Sequence, residues 1–109
     1  MARLRIPTIF IVSDGRGDTA AQVLKAAAVQ FEGRRYRTVR RAGVSTPDEV
    51  AGIVEEAKKA KAVVFYTLVD DEMRKTIRRT SGRRLVPTVD IVGPCFTALS
   101  EQFKGKHGG

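Results

Sequence analysis

The stretch Ser13-Asp14-Gly15-Arg16-Gly17-Asp18-Thr19 sets two glycines, two hydroxyls, an arginine and two carboxylates between an apolar run and a helical pattern. Glycine admits positive φ and lets a ligand approach the backbone closely. Free amides at the start of a helix make an anion site. Ser13 and Thr19 add hydroxyls and Arg16 adds a cation, so these residue types suit a phosphate or a carboxylate. Asp14 and Asp18 oppose an anion unless they point elsewhere, hold a metal or accept a proton. The same glycines also serve an unliganded strand-to-helix turn.

Two nucleotide motifs can be tested on the same residues. Gly15 to Ala20 matches the loose dinucleotide fingerprint, with Ala20 as its last member. The acidic residue that should hold a ribose about 20 residues later is replaced by arginines at 34, 35, 37, 40 and 41. Those arginines suit a 2′-phosphate, which leaves a nicotinamide dinucleotide phosphate-binding, Rossmann-like module as the alternative. The triphosphate loop fails, because the Gly105-Lys106 pair lacks both its preceding glycine and its following Ser or Thr.

Three further groups carry chemical potential. Thr67-Leu68-Val69-Asp70-Asp71-Glu72 closes a second apolar run, and its Thr67 and Asp70 join the phosphate- or substrate-binding candidates. Its carboxylates also suit a plain helix start, and no metal set is assigned. Arg74, Arg78 and Arg79, with Lys75, place like charges four residues apart and so mark a docking face for an acidic partner. Cys95 follows Pro94 at a helix start, where its thiol is either activated or a small core-packing group. No catalytic residue is identified.

Positioning these groups requires alternating strands and helices. Ile9–Ser13 is a β-branched and aromatic run, as in a strand buried on both faces. Thr19–Phe31 has an apolar stripe of Ala20, Val23, Leu24, Ala27 and Phe31, with Thr19 and Gln22 as a capping box and Gly33 at the exit. Tyr36–Arg40 alternates as an edge strand. Thr46 and Glu49 form a capping box, Pro47 opens the next helix, and Val50, Ile53, Val54 and Ala57 make its stripe. Ala62–Val69 is a second strong strand, and Gly82 is the expected end of the helix after it. Leu85–Val92 is a fourth strand, followed by a helix that turns Phe96, Leu99 and Phe103 inward. The sum, βαβαβαβα, predicts an α/β, three-layer, Rossmann-like fold with a four-stranded parallel sheet in the order 2-1-3-4 and helices on both faces. A crevice is expected between the first and third strands at their carboxyl ends, with Asp90 near it.

Composition bounds what this domain does. The 109 residues suffice for one core, placed at 1–104 with a flexible tail at 105–109 that holds the lone histidine, His107. Hydrophobic residues at 42% and charged residues at 29% indicate a folded globular chain. No apolar run spans a bilayer, and Asp14 stands where a signal peptide would be cleaved. One cysteine excludes an intrachain disulfide and places the protein in a reducing cytoplasm. A net charge of +8 favours an anionic partner. Nucleic acid ranks last, because of the aromatics only Tyr36 stands clearly amid arginines.

Three segments carry a family resemblance: "IFIVSDGRGDTAAQVLKAAAVQF", "AVVFYTLVDDEMRKTI" and "VDIVGPCFTALS". Together the chain resembles the N-terminal part of the phosphoenolpyruvate synthetase and pyruvate, phosphate dikinase regulatory proteins. That family often has Thr and Glu where this chain has Arg16 and Asp18. The resemblance implies a bifunctional serine/threonine kinase. It would phosphorylate a threonine of its target with ADP and remove that phosphate with inorganic phosphate, releasing pyrophosphate. It implies ADP or ATP and phosphate as ligands, and phosphoenolpyruvate synthetase or pyruvate, phosphate dikinase as partner. It also implies that the P-loop half of the enzyme lies outside this chain, so that a missing C-terminal half or a homo-oligomer completes it. Only Ser13–Thr19 and Thr67–Glu72 match the family's motifs here.

Overall fold

The computed structural model describes residues 6–104. The expected tail with His107, and the Gly105-Lys106 pair, lie outside the described residues. The elements run β1 (Thr8–Ser13), α1 (Asp18–Ala28), a 3-10 turn (Val29–Phe31), β2 (Arg37–Arg41), α2 (Pro47–Ala60), β3 (Val63–Thr67), α3 (Asp71–Arg84), β4 (Thr88–Asp90) and α4 (Gly93–Phe103). The four strands form one sheet in the order β2-β1-β3-β4, with every neighbouring pair parallel. The alternating pattern of the sequence therefore yields the α/β topology it implies.

Local chemistry sets most of the boundaries. The α2 capping box is complete: the Thr46 hydroxyl receives the Glu49 amide at 3.2 Å and Glu49 receives the Thr46 amide at 3.1 Å. α3 begins on Asp70, whose carboxylate receives the Met73 amide at 3.1 Å. It runs past Gly82, the expected stop, and ends where Leu85 takes the left-handed conformation at φ 58°. Pro87 prevents further extension, because it drives Val86, the residue before it, out of the helical region. The same proline helps confine β4 to three residues, well short of the expected Leu85–Val92. α1 begins at Asp18 on Gly17, and no side chain caps it, so the expected Thr19–Gln22 box does not form.

The core is divided unequally by the sheet. On one side Phe10, Val12, Val64 and Tyr66 of the strands meet Val50, Ile53, Val54 and Ala57 of α2 and Met73 and Ile77 of α3. On the other, Ile11 meets Ala20 and Leu24 of α1, flanked by half-buried Ile9, Phe65 and Ile91. Two of the five residues expected on the α1 stripe are buried; Val23 and Phe31 are exposed, at 38% and 65%. The larger departure is α4. Phe96, Leu99 and Phe103 were expected to face inward but are 41%, 49% and 78% exposed, and Cys95 is exposed as well. Of α4 only Gly93 is buried, and Phe96 meets the Arg74 guanidinium of α3 at 5.5 Å from its ring centroid, so most of its amphipathic face stays open.

Candidate functional site

Parallel pairing brings two polar loops together. Ser13 ends β1 and Thr67 ends β3, and the two are register partners, so the segments that follow leave the sheet side by side. Asp14 joins them: its Oδ2 accepts the Val69 amide at 2.7 Å. This interaction commits one Asp14 oxygen to the β3–α3 segment. On its other side the loop is anchored to the β2–α2 connection. The Gly43 amide donates to the Gly15 carbonyl at 2.8 Å and the Val44 amide to the Ser13 carbonyl at 3.0 Å.

The two glycines play different parts. Gly17 has φ 86°, and a Cβ there would stand 3.4 Å from Ile11 Cγ2 and from Arg40 Cδ. It is held to glycine by its left-handed backbone conformation, since a Cβ at those distances would make only ordinary contacts. Gly15 has no such constraint, and its amide donates to Ser13 Oγ at 2.9 Å. One of the two glycine amides expected to face a ligand is thus engaged internally. The free donors lie further along: no side chain caps α1, and its first-turn amides have no backbone acceptor among the described residues.

Charges at this mouth are balanced. Arg16 reaches Asp18 through Nε at 3.2 Å and Nη2 at 3.0 Å, and Arg40 Nη1 meets the other Asp18 oxygen at 3.1 Å. Arg40 also donates to the Arg16 carbonyl at 3.1 Å. The Arg16 hydrogen bond, followed by that of Arg40, holds the Asp18 carboxyl below the usual carboxylate range. The Arg16 side chain is 89% exposed, so water and salt strongly screen this ion pair. Arg16 is therefore free to turn to another anion at little cost.

The resulting concavity, about 360 Å³, is lined by residues 13–19 with Thr67, Val69 and Val92. It gathers Ser13, Asp14, Gly15, Arg16, Gly17, Thr19 and Thr67 as the sequence suggested. Asp70 is not among them, because its carboxylate caps α3. Val92 enters from the β4–α4 junction, and Arg40 bears on the loop from β2. Val92 is not signalled by local sequence, since it arrives by strand order, whereas Arg40 is one of the arginines that the dinucleotide reading sets against this loop.

A second polar group supports this mouth from behind. Arg74, expected on an outward docking face, turns inward and grips Asp90 with Nη2–Oδ2 at 2.6 Å and Nη1–Oδ1 at 3.1 Å. Nη1 also donates to the Leu68 carbonyl at 3.1 Å, one residue from the amide that holds Asp14. The Gly93 amide donates to Asp90 at 2.8 Å, and a Cβ on Gly93 would fall inside the Asp90 carboxylate. Burial opposes ionisation of Asp90. The Arg74 hydrogen bond, the Gly93 amide and the Arg74 charge outweigh it and keep the carboxyl below its ordinary value. Burial, then the Asp90 charge, raises the Tyr66 phenol. Of the docking candidates, Arg78 and Arg79 remain exposed, while Lys75 pairs with Asp71 at 3.3 Å.

Among the described residues no group of three or more His, Cys, Asp or Glu side chains converges on a metal site. No helix among them is long and apolar enough to cross a membrane.

Comparison with known proteins bears on what this site serves. The profile of a family described as kinase/pyrophosphorylase matches residues 9–108. A protein of Desulfitobacterium hafniense (strain Y51) named as a pyruvate, phosphate dikinase regulatory protein is 37% identical over 97 residues, 89% of this chain and 36% of its own length. A protein of the same name from Halothermothrix orenii is 38% identical over 92% of this chain and 37% of its own length. One from Bdellovibrio bacteriovorus is 31% identical over 92% and 35%. The chain thus spans little more than a third of the length of the curated relatives it matches. With a match that takes in all four strands and all four helices, the chain belongs to the kinase/pyrophosphorylase family.

Proposed function

We propose that this domain supplies the anion-binding and target-docking part of a regulator of pyruvate, phosphate dikinase or phosphoenolpyruvate synthetase. In this reading the whole enzyme places a phosphate on a threonine of its target with ADP. It removes that phosphate by transfer to inorganic phosphate, which leaves the threonine hydroxyl and pyrophosphate. The observation that carries the proposal is the joining of the Ser13–Thr19 and Thr67–Val69 segments in one concavity by the Asp14–Val69 hydrogen bond. The relatives' names supply the class of target.

The parts have separable roles. First-turn amides of α1, with the hydroxyls of Thr19 and Thr67, donate to a phosphoryl group. Arg16 leaves Asp18 to meet its charge. Asp14 keeps the two loops in register. Exposed Arg78 and Arg79 attract an acidic surface of the target. A triphosphate loop is absent from these 109 residues. The nucleotide cradle therefore comes from other polypeptide, and the chain alone does not transfer phosphate.

Titration calorimetry with phosphate and pyrophosphate tests the site. Both should bind, and Arg16→Ala should weaken them about fivefold, as expected for one exposed charge-assisted contact of about 1 kcal/mol. Absence of binding by the natural chain overturns the proposal. Incubation with ADP, magnesium and either dikinase should give no phosphothreonine, and its appearance would show that the nucleotide site is already here. The match to the kinase/pyrophosphorylase family favours this reading over the nicotinamide alternative.

A further inference from the structure

The two faces of the sheet are covered to different extents. α2 and α3 close one face. On the other, α1 is the only helix of the inner cluster, and it lies over β1 and β3. Phe65 of β3 lies on that face and is the register partner of Val89 of β4, so the two side chains point the same way. Ile91, two residues on, belongs to the same apolar row. Val89 is 40% exposed, and Phe65 and Ile91 are half-buried. A layered α/β fold places a helix over such a row.

α4 does not fill that place. Its Phe96, Leu99 and Phe103 recur at helical spacing and stand 41% to 78% exposed; the Arg74 guanidinium lies over the Phe96 ring at 5.5 Å, and the helix buries only Gly93. An eleven-residue helix has little stability in water without packing of its apolar face. The bare row and the bare helix are continuous in the chain through residues 91–93. Two unfilled halves of an interface therefore adjoin at the β4 edge.

We propose that this apolar surface, from Phe65, Val89 and Ile91 to Phe96, Leu99 and Phe103, seats the polypeptide that the curated relatives carry outside the matched third. Two observations select that occupant. α4 lies inside the family match, so it is a shared element, and the relatives hold nearly two thirds of their length beyond the aligned part. A second copy of this chain is disfavoured by repulsion between two bodies of net charge +8. The proposal rests on family membership and is independent of the anion site, so failure of phosphate binding leaves it standing.

The test compares Leu99→Asp in two settings. One is the 109-residue chain; the other is a fusion in which this chain replaces the matched third of the Desulfitobacterium hafniense protein. The isolated chain should be monomeric by light scattering, with a Tm unmoved by the substitution. The fusion should lose more than about 5 °C, and protease should then separate its two parts. Should the fusion not fold, mixing the chain with the separately expressed remainder should protect the α4 amides from hydrogen exchange, and Leu99→Asp should abolish that protection. Three results overturn the proposal. A Tm loss in the isolated monomer would mean that α4 folds back on its own sheet. A dimer dissolved by Leu99→Asp would make the occupant a second copy. Indifference of the fusion, or no protection on mixing, would leave the surface without the proposed occupant.

Discussion

The α2–α3 side of the sheet and the α1–α4 side are built from the same strands yet hold the molecule together unequally. Fourteen buried apolar residues form the cluster on the first side, and three form its counterpart on the second. Residues alternate strictly along β1, with Phe10 and Val12 on one face and Ile9 and Ile11 on the other, so each strand feeds both sides. The difference therefore comes from the helices that arrive. Folding energy is concentrated where α2 and α3 pack, and the opposite side is left available for contact.

That contrast can be broken or sharpened by substitution. The largest effect should come from Ile77→Ala, a fully buried side chain of α3, at about 3–4 kcal/mol by chemical denaturation. A cost under about 1 kcal/mol would remove the claim that this side carries the fold.

Asp90→Asn should cost about 2 kcal/mol near neutral pH, because it weakens the hydrogen bonds to Arg74 and Gly93. The pH dependence has a definite sign. Asp90's folded carboxyl lies below its ordinary value. Its contribution is therefore complete above the unfolded value of about 3.9 and is lost as pH falls through the lower folded value. Stability measured below about pH 4 should converge for the natural chain and the Asn variant. A gap that stays constant with acid would show that the charge is not what matters.

Gly17→Ala should cost about 1–2 kcal/mol through its left-handed backbone, whereas Gly15→Ala should cost under about 0.5 kcal/mol. Equal losses at the two positions would contradict the different roles assigned to them. The smallest effect should be that of Phe103→Ala in the isolated chain, within about 0.5 kcal/mol. A loss comparable to that of Ile77→Ala would show that α4 is packed in solution.

Helix boundaries were legible wherever the deciding residues are neighbours in sequence. Thr46, Pro47 and Glu49 specify the start of α2 because the capping box closes over three residues. Val50, Ile53, Val54 and Ala57 mark its buried face because helical periodicity and burial coincide there. The reading failed where an amphipathic pattern was equated with burial. Phe31, Phe96, Leu99 and Phe103 have suitable spacing, but burial also needs a surface that covers them fully, and they remain 41% to 78% exposed. Arg74 was misassigned for a related reason. Its place among exposed-looking cations hid a partner, Asp90, sixteen residues away. At the candidate site, the polar loop after β1 was visible as composition and Arg40 as one of several nearby arginines, but Val92, the Arg40–Asp18 pair and the Asp14–Val69 tie were not.

From sequence alone came the alternation of strands and helices, the parallel order it imposes, and the two polar loops that the order brings to one end of the sheet. These follow from local propensity and from the chirality of crossovers, which act over a few residues at a time. Tertiary structure alone decided that Asp14 faces a backbone amide, that Arg74 points inward to Asp90, and that most of the α4 apolar face is left exposed. Those outcomes depend on which distant groups arrive at hydrogen-bonding or packing distance, and no short window of residues contains both members of such a pair.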